Sequence, residues 1–190
     1  IEDLIFSDET SQSIGATLST AKEDFSAGES ETKLYSLGGN TFSGLSSQIE
    51  ALTFSSESNQ VISSTLDVAK RLGSVGSTSK KCCLFGGYIS APLDLIFSDE
   101  TSQTIASTLN IARLAATTTE TSNTAFLFGG KATADIDSIE KYTCNDNSMV
   151  LINATLSIAK RYISGTYGNL KSFISGGLTT GSTDTIEEFT

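Results

Sequence analysis

The side chains of this chain that could perform acid–base chemistry are carboxylates that recur in similar short segments. Two carboxyl groups held close together can act as acid and base in glycoside hydrolysis. Each segment contains one carboxylate or one adjacent pair of carboxylates. These lie in a stretch rich in Ser, Thr and Asp that predicts a turn, because these side chains bond their own backbone. We therefore expect solvated turns that are held apart, rather than a catalytic pair. The residues are Asp8, Glu9, Glu57, Asp99, Glu100 and Asp146.

Other catalytic chemistries lack their usual side chains. The sequence contains no His, which removes a Ser-His-Asp triad and nearly all transition-metal sites. Three cysteines, Cys82, Cys83 and Cys144, do not have the spacing of a zinc site. They stand where other copies of an internal repeat have apolar or aromatic residues, so we expect buried thiols that act as small hydrophobes. We expect no cofactor and no metal, and the chain is predicted not to be an enzyme.

Length and charge restrict the classes of partner. A chain of 190 residues is long enough to bury a core. Its formal net charge of −10 disfavours nucleic acids and anionic membranes, since both attract clustered Lys and Arg. No apolar run approaches the roughly 18 residues of a membrane helix, so no membrane insertion is expected. The chain begins at Ile rather than Met, which we interpret as processing or as a cut from a longer protein.

An internal repeat organises the whole chain. Asp94–Gln103 copies Asp3–Gln12, with a looser copy at Ala51–Gln60 and a more divergent one at Lys141–Ser148. Three further features recur with successive spacings of 48, 43 and 47 residues. They are a Thr-Leu pair, a basic residue after Ala, and a Gly-Gly pair. The basic residues are Lys22, Lys70, Arg113 and Lys160, and we expect each to cap carbonyl groups at a junction between repeats.

Each repeat is predicted to consist of β-strands. Ile49–Phe54 alternates apolar and polar residues, which is typical of a half-buried strand. The apolar run Ala125–Phe128 ends at Gly129 and Gly130, where glycine permits a turn. A β-rich period of about 40 to 50 residues is typical of a propeller blade with four antiparallel strands.

The same pattern resembles the kelch repeat along the full length of the chain. The features are an apolar strand that ends in Gly-Gly, an Ile/Val-x-x-hydrophobic strand, and a hydrophobic-Leu strand followed by Ala and a basic residue. The Trp of the fourth kelch strand is missing, and Ile14, Ile62, Ile105 and Ile152 lie in that neighbourhood. Such Trp-less, Ser/Thr-rich variants are similar to kelch-like repeats in bacteriophage structural proteins and bacterial surface proteins.

The resemblance implies an all-β fold, a β-propeller of four-stranded antiparallel blades. In kelch strand order, the chain opens in a third strand at Ile1–Phe6 and a fourth strand at Ser13–Leu18. Seventeen strands, these two included, are expected in the whole chain. Residues 1–190 are expected to form one domain of about four repeats. We place these at 1–48, 49–91, 92–138 and 139–185, with 186–190 beginning a further strand. Since a closed ring of four needs sixteen strands, an arc of a larger ring is favoured.

Candidate binding residues lie in the loops between the second and third strands. These loops differ most between copies, with 10, 5, 9 and 9 residues from the second Gly to the next repeat. Antiparallel blades would put them on the same face as the links from one blade to the next, and recognition commonly uses loops on a rigid scaffold. Phe42 and Tyr88 are the predicted anchors. The full set of candidates is Phe42, Tyr88, Lys131, Asp135, Asp137 and Thr180.

The resemblance and the loops together predict a non-enzymatic binding or structural module in a larger extracellular or virion assembly. Its partner would be a protein or a carbohydrate, with other subunits of the assembly nearby. One alternative is a carbohydrate-active enzyme on a propeller scaffold that uses Asp135 and Asp137. Another is an intracellular kelch adaptor, which leaves a cytoplasmic location open.

Overall fold

The computed structural model describes residues 2–5, 9–168 and 170–190, with side chains described from residue 9 onward. These residues form twenty strands and no helix, and hence no helix that could span a membrane. The strands are β1 Glu2–Ile5, β2 Thr10–Ser13, β3 Lys22–Glu23, β4 Ser26–Glu29, β5 Lys33–Leu37, β6 Asn40–Thr41, β7 Gly44–Leu45, β8 Gln48–Thr53, β9 Ser58–Thr65, β10 Gly73–Ser77, β11 Lys81–Gly86, β12 Leu93–Ile96, β13 Thr101–Thr104, β14 Thr117–Glu120, β15 Thr124–Phe128, β16 Ser138–Thr143, β17 Ser148–Thr155, β18 Ser164–Gly168, β19 Lys171–Ser175 and β20 Ile186–Phe189.

The strands pair into antiparallel sheets that follow the repeat. Sheet I has the order β4-β5-β8-β9, sheet II runs from β10 to β13, and sheet III runs from β14 to β17. Sheet IV has three strands, β18 to β20, and β1 pairs with β2 alone. A small sheet of β3, β6 and β7 extends the first repeat. The prediction of an all-β fold with four-stranded antiparallel sheets is therefore confirmed.

The strand count follows the repeat alignment, but one boundary was predicted wrongly. Setting aside the two-residue strands β3, β6 and β7, seventeen strands remain in the described part of the chain, as the alignment predicts. The first fourth-strand segment was expected at Ser13–Leu18, whereas β2 covers Thr10–Ser13. The reason is the hairpin register, in which Ile5 pairs with Thr10.

The hydrophobic core is divided among the junctions between successive sheets. One cluster joins sheets I and II through Tyr35, Leu84 and Leu95. A second joins sheets II and III through Phe85 and Tyr142, and a third joins sheets III and IV. Each sheet therefore buries its faces against its neighbours in the chain, which is how tandem repeats share a core.

The first strands of the sheets contact one another in sequence: β4 with β10, β10 with β14, and β14 with β18. Glycine permits this close approach in three of them. A Cβ on Gly28 would lie 2.8 Å from Val75 Cγ1, one on Gly76 would lie 3.1 Å from Thr118 Cγ2, and one on Gly165 would lie 2.9 Å from Thr117 Cγ2. These distances are shorter than ordinary carbon contacts, so a larger residue would push the first strands apart.

Four equivalent residues at the start of the first strands surround one space. Asp24, Leu72, Ala115 and Tyr162 all have positive φ, between 52° and 56°. Backbone hydrogen bonds of 2.8 Å join each to the next, from Leu72 to Asp24, from Ala115 to Leu72 and from Tyr162 to Ala115. All four line a single cavity of about 410 Å³. The first and fourth repeats thus meet at the same cavity.

Candidate binding face

The loops after the second strands lie on the same side of the sheets as the links between sheets. Gly39 N donates to Lys70 O at 2.9 Å, and Gly130 N donates to Lys160 O at 2.8 Å. Tyr88 N makes the equivalent bond to Arg113 O at 3.2 Å. The prediction that loops and links share one face is therefore confirmed. We call this side the loop face; it comprises residues 38–48, 86–92, 129–138 and 176–185 with the links 66–72, 109–116 and 156–163.

Phe42 lies at the tip of the first loop, on the hairpin formed by β6 and β7. Its side chain is fully exposed, and the side chain of Leu45 beside it is half-exposed. The hairpin is held in place because Thr41 Oγ1 bonds the Gly44 carbonyl at 2.9 Å and β6 pairs with β3. Phe42 and Leu45 form a raised apolar knob on a hydrogen-bonded support.

Tyr88 lies in the shortest loop and has an unusual backbone conformation. Its φ is 69°, in the left-handed region that few bulky residues adopt. Its side chain is largely exposed. Such conformations cost of order 1–3 kcal/mol and persist where the surrounding structure imposes them. The loop therefore presents the Tyr88 ring outward from a fixed backbone.

The remaining candidates have different surroundings and do not form one charged site. The Asp135 carboxylate accepts a hydrogen bond from Arg161 at 2.5 Å, across the junction to the next link. Asp137 is exposed, and its carbonyl accepts from Leu156 N at 2.8 Å. Lys131 bridges Leu114 and Asp135 through its backbone, and Thr180 is exposed. Asp135 is thus engaged in an ion pair, which does not favour its predicted alternative role as a catalytic acid.

The 410 Å³ cavity opens in the middle of the loop face. Its wall includes Asp24, Phe25, Leu72, Ala116 and Tyr162. The Arg161 guanidinium lies 5.8 Å from the centre of the Tyr162 ring, a cation–π contact. Sequence reasoning missed this site. The repeat alignment could have found it, because Asp24 and Tyr162 occupy equivalent positions before the first strands.

The recurrent basic residues of the links are buried and bound to carboxylates. Lys22 Nζ lies 2.9 Å from Glu50, Lys160 Nζ lies 2.7 Å from Glu187, and Arg113 pairs with Glu140. The predicted capping of carbonyls holds for Arg113, which donates to Gly129 O at 3.0 Å and Ser138 O at 3.1 Å. The carboxylate partners were missed, although an Ile-Glu pair recurs at each of their positions.

Lys70 is the exception among the four basic residues. Leu93 occupies the position where the other repeats have Glu50, Glu140 or Glu187, and Leu93 is itself buried. The Lys70 side chain is 1% exposed, and its nearest carboxylate is Asp67 at 3.5 Å. Burial lowers the pKa of the Lys70 amine, and Asp67 opposes that change only in part. One repeat thus buries a cation without the usual partner.

The carboxylates of the predicted turns do not gather into a catalytic pair among the described residues. Asp99 and Asp146 are exposed and bond their own turns, and Glu57 is exposed. Glu100 was expected to be solvated, and this was wrong. It accepts from Lys33 Nζ at 2.7 Å and from the Tyr35 hydroxyl at 3.3 Å, because the turn folds back on the preceding sheet. Asp8 lies outside the described residues.

A second cavity, of about 450 Å³, lies at the opposite end of the first strands. Glu29, Ser77, Glu120 and Tyr167 hold equivalent positions around it. Burial raises the pKa of Glu120 to about 7, and the Glu29 carboxylate adds to the rise. Within the described residues no group of three or more His, Cys, Asp or Glu could hold a metal ion. Neither glutamate was singled out from the sequence, where they fall in ordinary strand segments.

Glu120→Gln is expected to flatten the pH dependence of stability. Because the pKa of Glu120 rises from 4.5 to about 7 on folding, the folded chain binds more protons than the unfolded chain in that window. The free energy of unfolding therefore falls as pH rises from about 5 to about 8, and the neutral amide removes this fall. Urea unfolding at about pH 5 and about pH 8 measures the change in the free energy of unfolding. Glu31→Gln, an exposed neighbour, should keep the fall, and equal slopes in wild type and Glu120→Gln would contradict the assignment.

Comparison with models of known protein families finds no family that matches this chain, and comparison with curated proteins finds no matching relative. The kelch resemblance therefore depends on the repeat residues and on the strand order of the sheets.

Proposed function

We propose that this chain is a non-enzymatic binding module on a four-bladed, kelch-like β-propeller scaffold. Sheets I to III would be complete blades, and β18 to β20 would supply three strands of the fourth. Residues at the two ends of the first strands of all four repeats line the 410 Å³ and the 450 Å³ cavities, respectively. This favours a ring of four around one axis over the arc of a larger ring that the strand count suggests.

The partner we propose is a protein that docks on the loop face. The observation that carries this is the exposed Phe42 on its hydrogen-bonded hairpin, beside Leu45. A fully exposed Phe contributes nothing to the core, whereas exposed aromatic residues are efficient anchors in protein interfaces. Tyr88 would supply a second anchor from a neighbouring loop. An acidic chain of this composition disfavours nucleic acid as the partner.

The setting we propose is a larger extracellular or virion assembly in which the partner is another subunit. It is supported by the likeness of the Trp-less repeats to those of bacteriophage structural and bacterial surface proteins. The tandem repeat gives a rigid support for loops of different length, which suits a subunit that presents one face to a neighbour.

Phe42→Ala is expected to weaken partner binding at least about tenfold, as anchor residues commonly do. Candidate subunits from the native assembly would be titrated against the immobilised chain. Val150→Ala is the matched control, since Val150 is exposed on the outer strand β17, and it should leave affinity unchanged. Equal losses for both variants would contradict docking on the loop face. Glycan binding lost in Tyr162→Ala would instead assign the central cavity to a carbohydrate.

A carbohydrate-active enzyme is the second candidate, and the two glutamates of the 450 Å³ cavity favour it. A glycosidase uses a carboxylic acid with a raised pKa beside a second carboxylate. Glu29 and Glu120 line the same cavity, and burial with the nearby Glu29 raises the pKa of Glu120. This pair replaces Asp135 and Asp137 as the candidate machinery. Turnover of a glycan panel that is abolished by Glu120→Gln and kept in Asp135→Asn would overturn the non-enzymatic proposal.

A further inference from the structure

Two cysteines face each other across the junction between sheets II and III. Cys83 lies in β11, and Cys144 directly follows β16. Both belong to one buried cluster with Phe85 and Tyr142, and each thiol shifts the pKa of the other. The two sulfurs are therefore neighbours although 61 residues of sequence separate them.

The equivalent place in the preceding junction is filled by aromatic rings. Tyr35 corresponds to Cys83 and Phe97 to Cys144 in the repeat alignment. These two rings stack with their centres 5.3 Å apart. The pair of thiols therefore replaces a packed aromatic pair, and both replacements occur at the same contact.

A lysine network surrounds the thiols. Lys81 Nζ donates to Asp94, to Asn147 Oδ1 at 2.8 Å and to the Tyr142 hydroxyl at 3.2 Å. In the preceding junction Glu100 stands where Asn147 stands here and pairs with Lys33. The change from Glu to Asn removes one negative charge from the neighbourhood of Cys144.

A cavity leads to Cys144 and to neither of the other thiols. It has a volume of about 480 Å³, and its wall includes Lys81, Asn123 and Cys144. Cys82 and Cys83 do not line it. Cys82 lies on the other side of the sheet, in the cluster between sheets I and II. Cys144 is thus the thiol that a small molecule reaches, and Cys83 lies behind it.

The Cys83 thiol beside Cys144 favours the thiolate form of Cys144. It lowers the pKa of Cys144 and the Lys81 amine adds to this, against burial and the carboxylates of Asp94 and Glu120. The Cys144 sulfur in turn raises the pKa of Cys83, with burial and Asp94 acting in the same direction. Burial raises the pKa of the Tyr142 hydroxyl, so that group stays neutral. A thiolate, not a thiol, is the nucleophile in cysteine chemistry.

We propose that Cys144 is a hydroperoxide-reactive cysteine and that Cys83 is its resolving partner. The Cys144 thiolate attacks one peroxide oxygen; an S–O bond forms, the O–O bond breaks, and the departing alkoxide takes a proton to leave as alcohol. Cys144 is then a sulfenic acid. The Cys83 sulfur attacks the Cys144 sulfur; the S–S bond forms, and the hydroxide leaves with the Cys83 proton as water. Two thiols are oxidised, and one hydroperoxide is reduced to alcohol and water.

The disulfide would link sheets II and III covalently, and a thiol reductant would restore both cysteines. This makes the junction a modification site that depends on the redox environment, independent of what binds the loop face.

Alkylation of the native, unmodified chain with iodoacetamide, followed by peptide mass mapping, tests the reactivity. Cys144 should alkylate about 100-fold faster than Cys82 and Cys83, as activated thiolates do. Lys81→Gln should slow this rate about tenfold, whereas Lys33→Gln, its equivalent in the preceding junction, should leave the rate unchanged. Three equally slow cysteines in the native chain would overturn the proposal without recourse to any variant.

Treatment with one equivalent of hydrogen peroxide tests the resolving step. The expected product is a pair of peptides linked through Cys83 and Cys144, with two hydrogens lost. Dithiothreitol should separate the pair and restore both thiols. Cys82→Ser should give the same product, and Cys83→Ser should stop at a sulfenic acid that dimedone traps. A linked peptide that contains Cys82, or overoxidised Cys144 without any link in the wild type, would refute the pairing.

Discussion

Arg113→Met is expected to lower the free energy of unfolding by about 3–5 kcal/mol, because it leaves the carboxylate of Glu140 buried without its cation. Both side chains of the pair are 0% exposed. Arg113 also caps the carbonyls of Gly129 and Ser138, so the substitution removes further hydrogen bonds. Among the described residues, Glu140 keeps neutral donors, the backbone and side-chain nitrogens of Asn110 at 2.7 and 2.9 Å and the backbone nitrogen of Ile111 at 3.4 Å.

Urea unfolding followed by circular dichroism measures this loss. Arg71→Met is the matched control, since Arg71 is half-exposed and lies 3.4 Å from Asp24. Exposed pairs of this kind contribute at most about 1 kcal/mol. Similar losses in the two variants would show that the link cations do not hold the sheet junctions together.

Lys70→Met is expected to act in the opposite direction and raise the free energy of unfolding by about 1–3 kcal/mol. Met has a similar length and carries no charge to desolvate, and the side chain it replaces is 1% exposed. Asp67 is partly exposed, so water can replace Lys70 as its partner. Because burial lowers the pKa of Lys70 from 10.5, wild-type stability falls as pH drops below that value. The gain is therefore larger at neutral pH than above the ordinary lysine pKa.

Lys22→Met is the matched control for this prediction. Lys22 is the equivalent residue of the first repeat, and it lies 2.9 Å from the fully buried Glu50. Removing it strips Glu50 of its cation, so stability should fall. Opposite signs for the two lysines are expected in the same unfolding experiment. Destabilisation of equal size in both would contradict the idea that the missing Glu at Leu93 leaves Lys70 unsatisfied.

The strands and their order could be predicted from the sequence because they depend on local signals. Alternation in Ile49–Phe54 places the strand β8, and Gly129 with Gly130 ends β15. Once the repeats are aligned, strands recognised in one repeat locate the equivalent strands in the others. The predicted number of seventeen strands is correct for this reason. The start of β2 was misplaced, since the polar segment Thr10–Ser13 has the composition of a turn although it forms a strand.

The side-chain contacts of the candidate sites depend on packing between sheets, so they could not be predicted in the same way. Glu50 is 28 residues from Lys22, and nothing local links them. Cys83 and Cys144 were correctly expected to be buried, but their contact follows from how sheet II packs on sheet III. The exposure of Phe42 likewise depends on the small β6–β7 hairpin, which could not be predicted from the loop sequence.

The arrangement of the repeats was the least predictable property. Seventeen strands are compatible with an arc, and the angle between sheets is determined by packing at the first strands. Gly28 and Gly76 let those strands approach closely, and residues of all four repeats then line the two cavities. Small residues where the first strands meet, rather than the number of strands, support the proposed ring of four.

Distances between spin labels on the turns after the first strands test this arrangement most directly. The labels would be attached by non-cysteine chemistry at Glu31, Ser79, Ser122 and Leu170, which are exposed. If the four repeats surround one axis, the distance from Glu31 to Leu170 is close to that from Glu31 to Ser79 and shorter than that from Glu31 to Ser122. If instead the distance grows with each repeat, so that Glu31 to Leu170 is the longest of the three, the repeats form an open row and the four-bladed account is wrong.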